Sequence, residues 1–167
     1  MQRKLNNVRS LDELAKRVAA GFYSCFFPEG DSHDEPTLLR LRRGMARFYY
    51  RSRQLQAPGQ LPPAIVPVGL YYDAKHKFRS SVVVRFYPPI ELPPELDLAP
   101  ALDEPFEVMQ ARCKRLTDEI EGVLGDVAQA TDDWETHYML DRTRKLLRAE
   151  RATRLGTDPG PPTIAER

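Results

Sequence analysis

Between Pro88 and Pro105 the chain places six of its fifteen prolines, and that run constrains the fold more than any other feature. A proline has a fixed φ and no backbone N–H, so such a stretch can be neither a helix interior nor a central strand. It reads as an extended connector over 91–105 and divides the chain in two. Residues 1–90 hold short apolar runs separated by turn formers. After the connector the period changes. Phe106, Met109, Cys113, Leu116, Ile120, Val123 and Val127 recur at alternating spacings of three and four, the pattern of a helix with a narrow apolar seam. Asp132 and Glu135 have cap-like spacing ahead of Trp134, Tyr138 and Leu146, which predicts a final helix. The helical extension therefore covers 106–155, and the polar, Pro/Gly-rich tail 156–167 is expected to be disordered.

Within 1–90, Ser10 and Glu13 form a capping box ahead of Leu11, Leu14 and Val18, and Gly21 should stop that helix. Phe22–Phe27 reads as a strand. Pro36 suits the first turn of a helix reaching about Arg53, with Leu41, Met45, Phe48 and Tyr49 on one face. A proline-rich loop over 56–63 then leads to a buried strand, Ala64–Tyr72. The polar turn Asp73–Lys77 joins it to a further strand, Ser81–Tyr87. Strand, helix and strand make a βαβ unit, expected to be right-handed and parallel. The fold class is α/β: a partial mixed sheet, βαβ plus an added strand, with flanking helices and a C-terminal helical extension. Tyr49, Tyr50 and Trp134 are expected in the core.

A chain of 167 residues can bury a real core, and its formal net charge of +1 argues against nucleic acid as a partner. No apolar run approaches the ~20 residues of a membrane-spanning helix, and no signal-peptide pattern precedes Leu11, so a cytoplasmic location is expected. Cys25 and Cys113 lack metal-ligand spacing and read as buried, reduced thiols; a Cys25–His33 nucleophilic pair is the alternative. No metal site is expected.

The segment after the first apolar run reads Phe27-Pro28-Glu29-Gly30-Asp31-Ser32-His33-Asp34-Glu35-Pro36, and a second block, Ile65-Val66-Pro67-Val68-Gly69-Leu70, follows. In this order and at this separation the two blocks resemble the glycerolipid acyltransferases, whose third block in the bacterial and fungal branch reads Phe-Pro-Glu-Gly-x-Ser-His. The resemblance extends more weakly from about Leu11 to Leu147. It implies transfer of a fatty acyl group from acyl-coenzyme A or an acyl-carrier protein, as co-substrate, to glycerol 3-phosphate or its 1-acyl derivative, with no other cofactor.

The resemblance also implies residue roles. Glu29, Gly30, Ser32 and His33 fall on the acceptor-phosphate block. Arg47 falls on a Gly-x-Ala-Arg segment (Gly44-Met45-Ala46-Arg47) and is the best candidate for phosphate among the stripe Arg40, Arg43, Arg47 and Arg51. Pro67 falls beside the acyl pocket. For each there is a plainer alternative: a turn glycine with a capping acid, a solvated arginine face, and a proline that shapes a strand end. Asp31 stands where relatives have Val or Thr, and its charge would oppose an anionic acceptor. Tyr87 stands where the family's Phe-Gly-x-Pro-Ile turn has glycine. The family's catalytic block is a His followed five residues later by an Asp. The three histidines here are followed at that distance by Leu38, Ser81 and Arg142, so no catalytic residue is assigned. The chain reads as the C-terminal part of an acyltransferase, working with an upstream half-domain or an oligomer partner and touching membrane peripherally. The rival is a non-catalytic lipid- or phosphate-binding or interaction module.

Overall fold

The structure is a computed structural model and describes residues 2–72, 78–128 and 131–158, with side chains from residue 9 onward. Helix α1 spans Gln2–Ala19, so Ser10 lies inside it and the expected capping box is not its start. Its end is as expected. Gly21 has φ +92°, and the amides of Phe22 and Gly21 return to the carbonyls of Arg17 and Val18, a Schellman closure that needs a left-handed residue.

The segment Phe22–Phe27 is extended but pairs with no strand among the described residues. Its ring Phe26 packs on Phe48, with centroids 4.4 Å apart. Helix α2 spans Gly44–Leu55, eight residues later than Pro36 predicts. The reason is competition for backbone donors. The Leu39 amide donates to Glu29 Oε2 (3.0 Å), that of Leu41 to Glu121 Oε2 (3.1 Å), and that of Arg42 to the Pro28 carbonyl (2.8 Å). Amides held by these tertiary acceptors cannot close helical turns.

Strand β1 (Val68–Tyr72) and strand β2 (Val82–Phe86) form a two-stranded antiparallel sheet. Val68 faces Phe86, Leu70 faces Val84 and Tyr72 faces Val82. A partial sheet with flanking helices is therefore present, but the parallel βαβ pairing is not: among the described residues, β1 pairs with β2 alone. The expected turn Asp73–Lys77 lies outside the described residues. A short helix, α3 (Pro94–Asp97), sits in the proline-rich stretch with its prolines at the start, where the missing N–H costs nothing. Helix α4 spans Phe106–Ala128 and α5 spans Trp134–Arg154. The cap of α5 is Asp133, not Asp132; its carboxylate accepts the Thr136 amide at 2.7 Å.

The chain divides into two compact units. The first holds 1–32, 39–65 and 89–123; the second holds 33–38, 66–88 and 124–167. In the first, α1 packs on α2 through the buried Ala15 and Ala19, small enough for close approach, and Arg51 pairs with Asp12 at 2.7 Å. Its core contains Phe48, Tyr49, Tyr50 and Leu96, together with Cys113, Leu116 and Ile120 from the predicted seam of α4. The Tyr50 hydroxyl donates to the Leu96 carbonyl at 3.1 Å, and burial pushes its pKa up to about 12. Arg112 pairs with Glu104 at 2.8 Å and donates to the Glu95 carbonyl, fastening the connector to α4.

In the second unit the Tyr71 hydroxyl meets Tyr87 Oη at 2.6 Å and donates to the Val127 carbonyl at 2.5 Å. That ring lies over Gly69, where a Cβ would come within 2.6 Å of it. The glycine of the Val-Pro-Val-Gly block thus makes room for a tyrosine two residues on. Trp134 is not in the core. It is 42% exposed and stacks on Tyr138 along α5.

Candidate functional site

The turn of the Phe-Pro-Glu-Gly block is closed by the Gly30 amide, which donates to the Phe27 carbonyl at 3.1 Å. Pro28 sits second and Gly30 fourth, the positions those residues favour in the commonest β-turn. Gly30 has φ +73°, a conformation that a side chain would strain. Glu29 directs its carboxylate to the Leu39 amide, while its own carbonyl accepts from Arg42 Nε at 3.2 Å. The guanidinium of Arg42 also pairs with Asp31. The turn is therefore strapped to residues 39–42 at both its backbone and its side chains.

Arg42 is the residue that the sequence pattern did not single out. The stripe Arg40, Arg43, Arg47 and Arg51 drew attention by its spacing, and Arg42 falls outside it. The signal was Asp31, an acid in a turn that should receive an anion. Its charge is offset by Arg42, although both partners are more than half exposed and such a pair contributes little to stability.

Ser32 is exposed beside this turn. His33 belongs to the second unit, where its Nδ1 accepts the Glu35 amide at 3.2 Å. This makes it a local turn former. Cys25 is exposed, contrary to expectation, and lies in the first unit; Cys113 is buried. Burial pushes the Cys113 thiol up in pKa, against the pull of the Arg47 and Arg43 guanidiniums.

Arg47 lies in the first turn of α2, not three turns along a helix from Pro36. Its amide makes the first hydrogen bond of α2, to the Arg43 carbonyl at 3.1 Å. The amides of Gly44, Met45 and Ala46 make no hydrogen bond among the described residues, and no side chain caps the helix. The Gly-x-Ala-Arg segment is thus an open helix N-terminus with an arginine one turn in. Such a terminus carries partial positive charge and free donors, and it has no acid in its first turn. Arg43 is engaged by Gln110 Oε1 at 3.2 Å and Arg51 by Asp12. The exposed Arg47 guanidinium makes no hydrogen bond or ion pair among the described residues.

Pro67 is buried in the second unit, one residue before β1, and its carbonyl accepts the Tyr87 amide at 3.0 Å. Its missing N–H therefore breaks no ladder. Tyr87 does not have positive φ, so it replaces the family's glycine without backbone strain. In the first unit a cleft of about 330 Å³ is lined by Tyr49, Pro63, Ile65, Ile90 and Asp97 among others. The Tyr49 hydroxyl donates to Asp97 Oδ1 at 3.1 Å; burial first, then the Asp97 charge, raises its pKa. No group of three or more metal-ligating side chains converges among the described residues, and no described helix is long and apolar enough to cross a membrane.

The chain is similar to glycerol-3-phosphate O-acyltransferase 1 of Saccharomyces cerevisiae, 36% identical over 147 residues, which is 88% of this chain and 18% of that protein. It is similar to glycerol-3-phosphate O-acyltransferase 2 of the same yeast, 31% identical over 143 residues (86% and 18%). An uncharacterised acyltransferase of Schizosaccharomyces pombe is 30% identical over 145 residues (81% and 19%). The chain thus spans about a fifth of the length of these curated relatives. No protein-family model matches it, and no solved structure does.

Proposed function

Given that this chain belongs to the glycerol-phosphate acyltransferase family, we propose that it supplies the acceptor-phosphate side of an acyl transfer. The reaction moves a fatty acyl group from an acyl-coenzyme A or acyl-carrier-protein thioester to a hydroxyl of glycerol 3-phosphate or its 1-acyl derivative. The observation that carries this reading is the open N-terminus of α2, where the amides of Gly44, Met45 and Ala46 and the uncommitted Arg47 offer donors to a dianionic phosphate.

The strapped turn has a supporting part in this reading. Glu29 and Gly30 hold residues 39–42 in a non-helical path, which fixes where α2 begins. Ser32, in the same unit as α2, stands as a further donor to the acceptor. The acceptor hydroxyl must lose its proton as it attacks the thioester carbonyl, and the coenzyme thiolate leaves. No His-x4-Asp pair occurs in these 167 residues, so the general base comes from a partner polypeptide or half-domain. The same absence favours the second reading, a phosphate-binding module without turnover. In either case we assign a peripheral position at a membrane, where acyl-glycerol products reside.

Titration calorimetry of the full chain with glycerol 3-phosphate tests the site. Arg47→Ala is expected to weaken binding by about 1.5–3 kcal/mol, the worth of a hydrogen bond to a charged group. Arg51→Ala, whose side chain is committed to Asp12, should leave it unchanged. Equal losses from both would reduce the effect to bulk charge and remove the assignment. A thioester-cleavage assay with palmitoyl-coenzyme A should show no turnover by the chain alone; turnover abolished by His33→Ala would make His33 the base.

A further inference from the structure

We propose that α5 docks antiparallel on the α5 of a second copy of this chain. Of its 21 residues only Ala152 is buried, whereas a helix in a folded protein ordinarily owes its stability to an apolar face in tertiary contact. The covered side is also the polar one. His137, Asp141 and Arg148 are half-buried and lie with Ala152 along one side of the helix. At 3.6 residues per turn the opposite side carries Met139, Leu140, Leu146 and Leu147, which are 57%, 44%, 71% and 60% exposed. A helix that turns charge inward and aliphatic side chains outward presents the second set to a partner.

Symmetry and charge identify the occupant. Met139 and Leu140 stand before Thr143, and Leu147 and Leu146 stand at the same distances after it. A twofold axis at Thr143 therefore sets Leu140 of each copy against Leu147 of the other, and Met139 against Leu146. Thr143 is itself buried there at little cost, because its hydroxyl already donates to the Met139 carbonyl at 2.9 Å. Charge fixes the direction. From Asp132 to Asp141 the chain has four acids (Asp132, Asp133, Glu135 and Asp141) and no lysine or arginine; from Arg142 to Arg154 it has six cations and one acid, Glu150. A parallel pair would oppose like charges. An antiparallel pair brings the acidic start of each helix to the basic end of the other, with Asp132 near Arg154, and sets the helix dipoles head to tail. A partner of any other sequence would require no such symmetry in α5. The aliphatic patch offers on the order of 400 Å² per copy, the size that marks an interaction site. It lies below the ~800 Å² per partner of a standard interface, so the dimer is a reversible one of micromolar Kd. The inference is independent of acyl transfer and of the phosphate site.

Sedimentation equilibrium of the full chain between about 1 and about 200 µM, the range that reads a micromolar Kd, tests it. The wild type is expected to pass from monomer to dimer as concentration rises, and to dissociate as salt rises. Leu146→Asp with Leu147→Asp should weaken the dimer tenfold or more at unchanged far-ultraviolet circular dichroism. Arg154→Asp alone and Asp132→Arg alone should each weaken it about fivefold, since the pair occurs twice in the dimer. The two together should restore the wild-type Kd. This swap leaves the aliphatic face intact, so it decides the matter even if the double aspartate unfolds. Leu61→Ser, at an exposed leucine in the first unit, should change nothing. A monomer throughout the range, a dimer that the folded double aspartate leaves intact, or a swap that fails to restore the Kd overturns the proposal. So does an α5 that binds lipid vesicles or another polypeptide while the chain stays monomeric, which would assign the face to that occupant. Glycerol 3-phosphate binding by the monomeric variants is expected to equal wild type, so the dimer and the phosphate site fail separately.

Discussion

The carboxylate of Glu29 accepts the backbone amide of Leu39 at 3.0 Å, so a family-motif acid holds the chain that leads into α2. This geometry makes Glu29 a positioning residue. Glu29→Ala leaves a partly buried amide without its acceptor and is expected to cost about 1–3 kcal/mol in urea unfolding. Glu29→Gln keeps an acceptor oxygen and should lose about 1 kcal/mol or less. If both variants unfold like wild type, the strap does not hold the segment.

Gly30 combines φ +73° with the side chain of Arg42, whose Cδ and Nε would lie 2.6 Å from an added Cβ. Gly30→Ala should therefore destabilise by about 1–2 kcal/mol from backbone strain alone, with a further loss from displacing Arg42. A double-mutant cycle with Arg42→Ala separates the two, since the backbone part persists when the arginine is gone. Additive effects would show that the two residues do not interfere.

The two thiols should differ sharply in reactivity. Cys25 is exposed, whereas Cys113 is buried with its pKa raised by burial. Iodoacetamide on the native chain is expected to modify Cys25 and spare Cys113 until denaturant is added. Equal labelling under native conditions would contradict the packing of α4.

Asp133 provides a pH dependence of known sign. Its hydrogen bonds to the Thr136 amide and hydroxyl hold its carboxyl below the ordinary 3.8. A group whose folded pKa is depressed stabilises above its unfolded pKa and loses that contribution as pH falls through the folded one. Helicity of α5 should therefore weaken on acidification below about pH 3.8 in the wild type. Asp133→Asn, which caps without titrating, should lack that component in circular dichroism between pH 2 and 6. Identical profiles would mean that the cap does not stabilise α5.

Much of the architecture was legible from local pattern. The seam from Cys113 to Ile120 and the stop at Gly21 each follow from interactions within a few residues, and each stands in the structure. Pattern reading failed where a distant group intervened. Phe22–Phe27 has strand composition, but a strand requires a ladder, and no described segment supplies one. Trp134 and Cys25 have apolar character, but burial depends on what packs against them.

The sequence alone determined the family blocks and their order, the helices α4 and α5, and the two strands that lie within Ala64–Tyr72 and Ser81–Tyr87. These depend on spacing, turn chemistry and side-chain type, all written within one or two turns of chain. Tertiary structure alone decided where α2 begins, and with it which arginine of the stripe lies in its first turn. Pro36 and the apolar period 41-45-48 would carry the helix eight residues earlier. Glu29 and Glu121, ten and eighty residues away, take the amides of Leu39 and Leu41 instead. An amide donates to the acceptor that folding brings to it. That acceptor is not visible in the neighbouring sequence, so the open N-terminus at Gly44 and the role of Arg42 appear only once the chain is folded.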